Sequence, residues 1–250
     1  MGQVIALAGK GGTGKTTLAA LFVRIIKEKK LGSVLAVDAD PNSNLAEVLG
    51  LEIKESISSI LDDLASHPQS VPVNMGKDAF IEYRVQTAIA EGDNFDVLTM
   101  GRPEGPGCYC YVNNALRNVM GKLVKDYDFV VIDNEAGLEH LSRRTTGQTD
   151  ILVVVSDATV VGLKAAKRIA VLTRELGLKT KKDFLIVNRC EKAIDKEKIR
   201  GLSLELLGVL STDPEIEGLS LDGHSLFKLN NNNVTLTALG KLGDRIWHCN

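Results

Sequence analysis

Two short stretches of this chain carry residue types at spacings that do chemistry. The first is "GKGGTGKT", Gly9 to Thr16. It fits G-x-x-x-x-G-K-[ST], follows an apolar run that reads as a strand, and opens a helical pattern, as a phosphate-binding loop requires. Glycines let backbone N–H groups converge on phosphate oxygens, and a helix N-terminus adds a favourable dipole. Gly11, Gly12, Thr13, Gly14, Lys15, Thr16 and Thr17 would then surround the phosphates of a nucleotide. Lys15 would neutralise the β- and γ-phosphates, and Thr16 would offer its hydroxyl to Mg²⁺. The alternative, a glycine-rich turn with a solvated lysine, leaves the strand-loop-helix setting unexplained.

The second stretch is "GPGCYCYVNN", Gly105 to Asn114, which holds two of the four cysteines. A turn-forming Gly-Pro-Gly precedes Cys108 and Cys110, and the run "VNNALRNVMGKL" after them reads as a helix. A cysteine near a helix N-terminus ionises readily. In an extended segment residues i and i+2 project to the same side, so the pair could hold one metal ion together. Two thiolates leave a tetrahedral metal half-coordinated. The other reading is two small buried hydrophobes.

The elements that must position these residues are legible as periodicity. "VIALA" (Val4 to Ala8), "VLAVD" (Val34 to Asp38), "DVLTM" (Asp96 to Met100), "FVVID" (Phe129 to Asp133), "ILVVVS" (Ile151 to Ser156) and "FLIVN" (Phe184 to Asn188) read as buried strands. Their unbroken apolar character predicts a sheet covered on both faces. Thr16 to Lys30, Leu163 to Leu176 and Leu236 to Trp247 carry helical periodicity. Strand-helix alternation implies an α/β fold, a mostly parallel sheet with helices on both faces. Residues 51–94 read as a helical and loop insertion in a single domain spanning 1–250, and "NNNN" (Asn230 to Asn233) reads as a surface turn.

Composition bounds the function. A net charge of −2 gives no footprint for nucleic acid. No apolar run is long enough to span a membrane. The opening "MGQVIALAGKGG" lacks the basic region of a signal peptide, and Ala6 stands where a myristoylation signal needs Ser or Thr. Four scattered cysteines do not make a disulfide framework, so a reduced, cytoplasmic setting is expected.

The full string "KGGTGKTT", with Lys10 inside the loop, resembles the deviant phosphate loop of the MinD/ParA/nitrogenase iron protein class of ATPases. That resemblance implies a P-loop ATPase in which Lys10 reaches the phosphates bound by a second copy, making dimerisation depend on ATP. It supplies in trans the charge that an arginine finger supplies elsewhere. In "DADP", the resemblance gives Asp40 the attacking water and Asp38 a part in the magnesium shell; helix capping is the plainer alternative for each. "FVVIDNEAG" places Asp133 where this class orders Mg²⁺ waters, and Gly137 where a switch turns its N–H to the γ-phosphate. "LIVNR" supplies Asn188 and Arg189 on the base side, which favours ATP, and "LSTDPEI" (Leu210 to Ile216) would complete the base pocket. No role is evident in the sequence for Glu135.

A two-fold dimer also answers the half-filled metal site. The second copy brings its own Cys-x-Cys, making four sulfurs on the axis. Tetrahedral ligation suits zinc or an iron–sulfur centre, and square-planar ligation suits Ni²⁺. "CYC" together with "DNEAGLEHLSRR" is similar to the CooC/AcsF-type branch that matures nickel enzymes. The branch implies a homodimer with Ni²⁺ or Zn²⁺ on Cys108 and Cys110 at the interface. It would hydrolyse ATP to insert nickel into apo carbon monoxide dehydrogenase or apo acetyl-CoA synthase. Glu139 and His140 would couple nucleotide state to release, or simply form helix salt bridges. Two other readings stand. One is an ATP-gated reductase with a dimer-bridging iron–sulfur cluster, although the iron protein's two cysteines lie far apart in sequence. The other is a MinD/ParA-type spatial organiser, although "LTALGKLGDRIWHCN" has too few cations for a stable lipid anchor.

Overall fold

The computed structural model describes residues 2–42, 44–102, 118–135, 149–192 and 194–247. Eight strands form one sheet: β1 (Gln3–Gly9), β2 (Val34–Ala39), β3 (Ala90–Glu91), β4 (Asp96–Thr99), β5 (Phe129–Asn134), β6 (Ile151–Ser156), β7 (Lys182–Val187) and β8 (Glu205–Val209). Their order is β3-β4-β2-β5-β1-β6-β7-β8. Every pairing is parallel except β3 with β4. The six strands expected from apolar runs are all present. β3 and β8 lie at the two edges, where a strand is half-covered and needs no continuous apolar run.

Each strand divides its side chains between two cores. Ile5, Leu7, Val34, Ala36, Val131, Val153 and Ile186 point into one. Val4, Ala6, Leu35, Val37, Val130, Val154 and Leu185 point into the other. The first core is covered by α1 (Lys15–Glu28), α2 (Leu45–Leu49) and, across α1, by the C-terminal helix Val234–Trp247. The second is covered by α3 (Ile57–Ser66), α4 (Lys77–Thr87), helical residues 118–123 and α5 (Val160–Glu175). After α5 come α6 (Lys196–Ile199), α7 (Pro214–Leu221) and α8 (Val234–Trp247). Among the described residues no helix is long and apolar enough to cross a membrane.

Residues 51–94 hold α3, α4, a single 3₁₀ turn at Pro68–Ser70 and the edge strand β3. Ser56 caps α3 and Ser59 reciprocates, which satisfies two otherwise orphaned N–H groups. The asparagine run forms a turn closed by Asn233 N donating to Asn230 O at 2.9 Å. Asn230, Asn231 and Asn232 are exposed in that turn as expected, while Asn233 is buried and accepts from Leu236 N at 3.0 Å in the first turn of α8, so the end of the run also starts a helix.

Phe22 is fully buried and meets Trp247 edge-to-face, with ring centroids 5.7 Å apart. This contact locks α1 to α8. Phe22→Ala should cost roughly 3–5 kcal/mol of folding free energy, read as a lower midpoint in a urea melt.

Candidate functional site

Topology puts the site where β1 leaves the sheet. From β1 the chain winds outward to β2 on one side and to β6, β7 and β8 on the other. In such sheets ligands bind beyond the carboxyl ends of the strands at the point of reversal. The loop Gly9 to Thr16 lies there. Gly12 and Gly14 take φ of 78° and 93°, a region that favours glycine, and Gly14 is the N-cap of α1. A Cβ on Gly14 would come within 2.5 Å of Asn188 Nδ2, whereas Gly11 and Gly12 face open space. The loop backbone thus packs on one side and is open to a ligand on the other.

Internal hydrogen bonds shape the loop. Thr13 Oγ1 donates to Lys10 O at 2.9 Å, and Lys15 Nζ donates to the same oxygen at 3.3 Å. Lys15 is buried and Lys10 is exposed. Asn188 Nδ2 donates to Thr13 O at 2.9 Å, and Arg189 donates to Gly12 O at 3.2 Å. Asn188 and Arg189 therefore sit against the loop from the end of β7, with Arg189 at a left-handed φ of 53°.

The acids form a row. Asp38 and Asp133 are direct register partners on β2 and β5, with Thr99 beside Asp38 on β4. Alternation aims all three at the α1 side of the sheet. Thr16 Oγ1 donates to Asp133 Oδ2 at 2.5 Å. Asp133 Oδ1 and Thr99 Oγ1 are buried and have no hydrogen-bond partner among the described residues. Asp38 accepts Leu45 N at 2.8 Å and Asp40 N at 3.1 Å. Asp40 in turn accepts both the backbone and side-chain N–H of Asn42 at 2.9 Å. Asp38 thus makes the helix-capping contact that the sequence offered as the plainer alternative, and Asp40, half-exposed, shapes the loop before α2.

Burial dominates the electrostatics. It pushes the Asp133 carboxyl up to about 7, against the Thr16 hydrogen bond that pulls it down, and the Asp38 charge adds to the rise. Burial likewise pushes Asp38 up to about 6, against the N–H groups of Leu45 and Asp40. No group of three or more His, Cys, Asp or Glu residues converges as a metal site among the described residues. The oxygens of Thr16 and Asp133 nevertheless fit Mg²⁺, which takes few protein ligands and keeps several waters. The unpartnered Asp133 Oδ1 is the acceptor such a shell lacks.

Beside the loop is a cleft of about 280 Å³ between the start of α1 and α7, lined by Thr17, Leu18, Asn188, Arg189, Asp213 and Ile216 among others. Ser211, Asp213 and Ile216, from the segment Leu210 to Ile216, line it. Leu221 and Thr235 also line it; the sequence signal for them was the Asp213-Pro214 helix start, which the strand-end motifs overshadowed. A larger cavity, about 870 Å³, opens at the other end of β7 and β8 and includes no loop residue. Its charged groups pair within it or with neighbours outside it, Lys182 with Glu205, Arg200 with Glu197 and Lys181 with Asp150, whereas the smaller cleft borders the first turn of α1. Cys108, Cys110, Gly137, Glu139 and His140 lie outside the described residues; Glu135 is exposed at the end of β5.

Residues 4–226 match the CobQ/CobB/MinD/ParA nucleotide binding domain. The chain belongs to that family. An uncharacterized ATP-binding protein of Methanocaldococcus jannaschii is 41% identical over 250 residues, spanning 98% of each chain. The carbon monoxide dehydrogenase accessory protein CooC of Rhodospirillum rubrum is 31% identical over 239 residues, 90% of this chain and 89% of that one. The cell division ATPase MinD of Pyrococcus furiosus superposes with a TM-score of 0.72 at 25% identity, covering 98% of both chains. The fold expected from the sequence, a mostly parallel P-loop sheet of this class, is the fold observed.

Between about pH 4 and pH 7 the folded protein keeps protons on Asp133 and Asp38 that the unfolded chain has released, so unliganded stability falls as pH rises through that window. Asp133→Asn removes the larger part of this dependence. It should stabilise the unliganded protein at pH 8 by roughly 1–3 kcal/mol, since a tenfold change in proton affinity on folding corresponds to about 1.4 kcal/mol. The gain should vanish near pH 4, which thermal melts across pH would show.

Proposed function

We propose that this chain is a homodimeric ATPase that delivers nickel to the active-site cluster of carbon monoxide dehydrogenase or acetyl-CoA synthase. The observation that carries the reading is the Cys108-x-Cys110 pair in a chain that also holds Lys10 in its phosphate loop. The 31% identity to a carbon monoxide dehydrogenase accessory protein supports it. Residues 1–250 act as one nucleotide-binding unit in a reducing, cytoplasmic setting.

Each residue then has a task. The open backbone of Gly11 to Gly14 takes the phosphate oxygens, and Lys15 turns from Lys10 O to the β- and γ-phosphates. Thr16 and Asp133 would hold Mg²⁺, which when bound would supply positive charge beside the phosphates. Asp38 fixes the loop that presents Asp40, and Asp40 orients the attacking water. Asn188 and Arg189 bound the base, and Gly137 senses the γ-phosphate. The exposed Lys10 reaches the phosphates of the second copy, which ties the dimer to ATP. Nickel is the cargo, held by two thiolates from each copy and released when hydrolysis loosens the pair.

With Mg²⁺ and a non-hydrolysable ATP analogue the protein should elute as a dimer, and Lys10→Ala should remain monomeric and lose most hydrolysis. A Lys10→Ala protein that dimerises and turns over normally would defeat the two-copy mechanism. Anaerobic equilibrium dialysis should find about one Ni²⁺ per dimer, the count that completes one four-sulfur site. The Cys108→Ser/Cys110→Ser variant should bind none; unchanged stoichiometry would sink the nickel reading. Nickel-loaded protein with ATP should activate one of the two apo-enzymes, and which one responds identifies the client.

A further inference from the structure

Arg24 stands in the middle of α1, 2% exposed, among the apolar side chains of the first core. A guanidinium so placed is costly unless its donors are matched. Here they are matched by one region. Nη1 donates to Leu226 O at 2.7 Å and Leu229 O at 2.8 Å, and Nη2 donates to Asn231 Oδ1 at 2.6 Å. Nε is paired with Glu28 one turn along the helix, at 2.6 Å.

The segment that Arg24 holds is bonded onward to α7. Glu215, in the first turn of α7, accepts Asn230 N at 2.8 Å and Asn233 Nδ2 at 3.0 Å. Asp213, the N-cap of α7, accepts Glu215 N and Ile216 N. Asp213, Ile216 and Leu221 form the wall of the small cleft that faces Thr17 and Leu18 of α1. The network therefore starts on α1, two turns past the phosphate loop, and ends on the wall opposite that loop. The phosphate loop is built separately, from Gly14, Lys15 and the end of β7.

We infer that Arg24 is a positioning residue that sets the separation of the two walls of the base cleft through Asn231, the Asn230–Asn233 turn and Glu215. It touches no ligand. The inference rests on the reading that a nucleotide base enters this cleft. It assigns to the asparagine run and a buried arginine the job of discriminating a nucleotide from a bare chain of phosphates.

The test separates the base from the phosphates. Calorimetry on the full chain with Mg²⁺ compares ATP with inorganic tripolyphosphate, which engages the loop alone. Wild type should bind ATP more tightly; equal affinity would overturn the base-cleft reading itself, and the inference with it. Arg24→Lys cannot reproduce the planar fork and should weaken ATP by about tenfold or more, roughly 1.4 kcal/mol, while tripolyphosphate stays within about twofold. Glu215→Gln and Asn231→Ala alter exposed positions, keep the core, and should move ATP alone in the same direction. Retained tripolyphosphate binding reports an intact loop in each variant. Unchanged ATP affinity in these two, or an equal loss for both ligands, would overturn the inference.

Discussion

The site depends on one constraint: two carboxylates, Asp38 and Asp133, stand in register on adjacent strands with almost no access to water. Removing a charge from water costs several kcal/mol unless it is paired and hydrogen-bonded. The neighbouring structure can be read as a response. Asp38 is answered by two backbone N–H groups, and these anchor the loop that leads into α2. Asp133 is answered on one oxygen by Thr16, which draws the first turn of α1 onto the sheet. Its other oxygen is left unanswered. Among the described residues Asp133 Oδ1 is thus a buried carboxylate oxygen without a hydrogen-bond partner, an acceptor suited to a divalent cation or its waters.

Helix α1 transmits that arrangement through the molecule. Its first turn carries the phosphate loop, its middle carries Arg24, and its end carries Lys27, which lies over Phe227 with Nζ 4.8 Å from the ring centroid. Lys29 near its C-terminus donates to Gly240 O at 2.8 Å and pairs with Asp244 on α8. One helix is thus tied to the sheet, to the turn before α8 and to α8 itself. The phosphate loop and the far wall of the small cleft are held to a common strut while resting on separate sets of hydrogen bonds.

The central strands and the loop were legible in the sequence because their signals are local. A parallel strand buried on both faces is a continuous apolar run, and Gly14 is required by a backbone angle at its own position. The acids were legible as strand-end residues, but not their state. Asp38 and Asp133 look alike in the sequence, and only neighbours from β4, α1 and α2 distinguish a saturated carboxylate from an unsaturated one. β8 was missed because it is a short edge strand whose apolar residues are interrupted by Gly208, with Leu207 alone buried. Arg24 was hidden for the same kind of reason. Its partners lie more than two hundred residues away, and in sequence it is one cation on a helix of mixed composition.

The position of β1 also bears on the order of biosynthesis. It lies between β5 and β6, pairing with strands that begin at Phe129 and Ile151. β1 therefore waits, unpaired, until β5 has followed it from the ribosome, just over halfway along the chain. Asn188, which packs against Gly14, arrives later still. Non-local parallel pairing is slow to form, since the chain must close long loops before any contact rewards it. A nascent chain ending before β5 thus carries the complete phosphate-loop sequence with β1 still unpaired. The support that Asn188 gives the loop is in this sense a property of a chain made past β7.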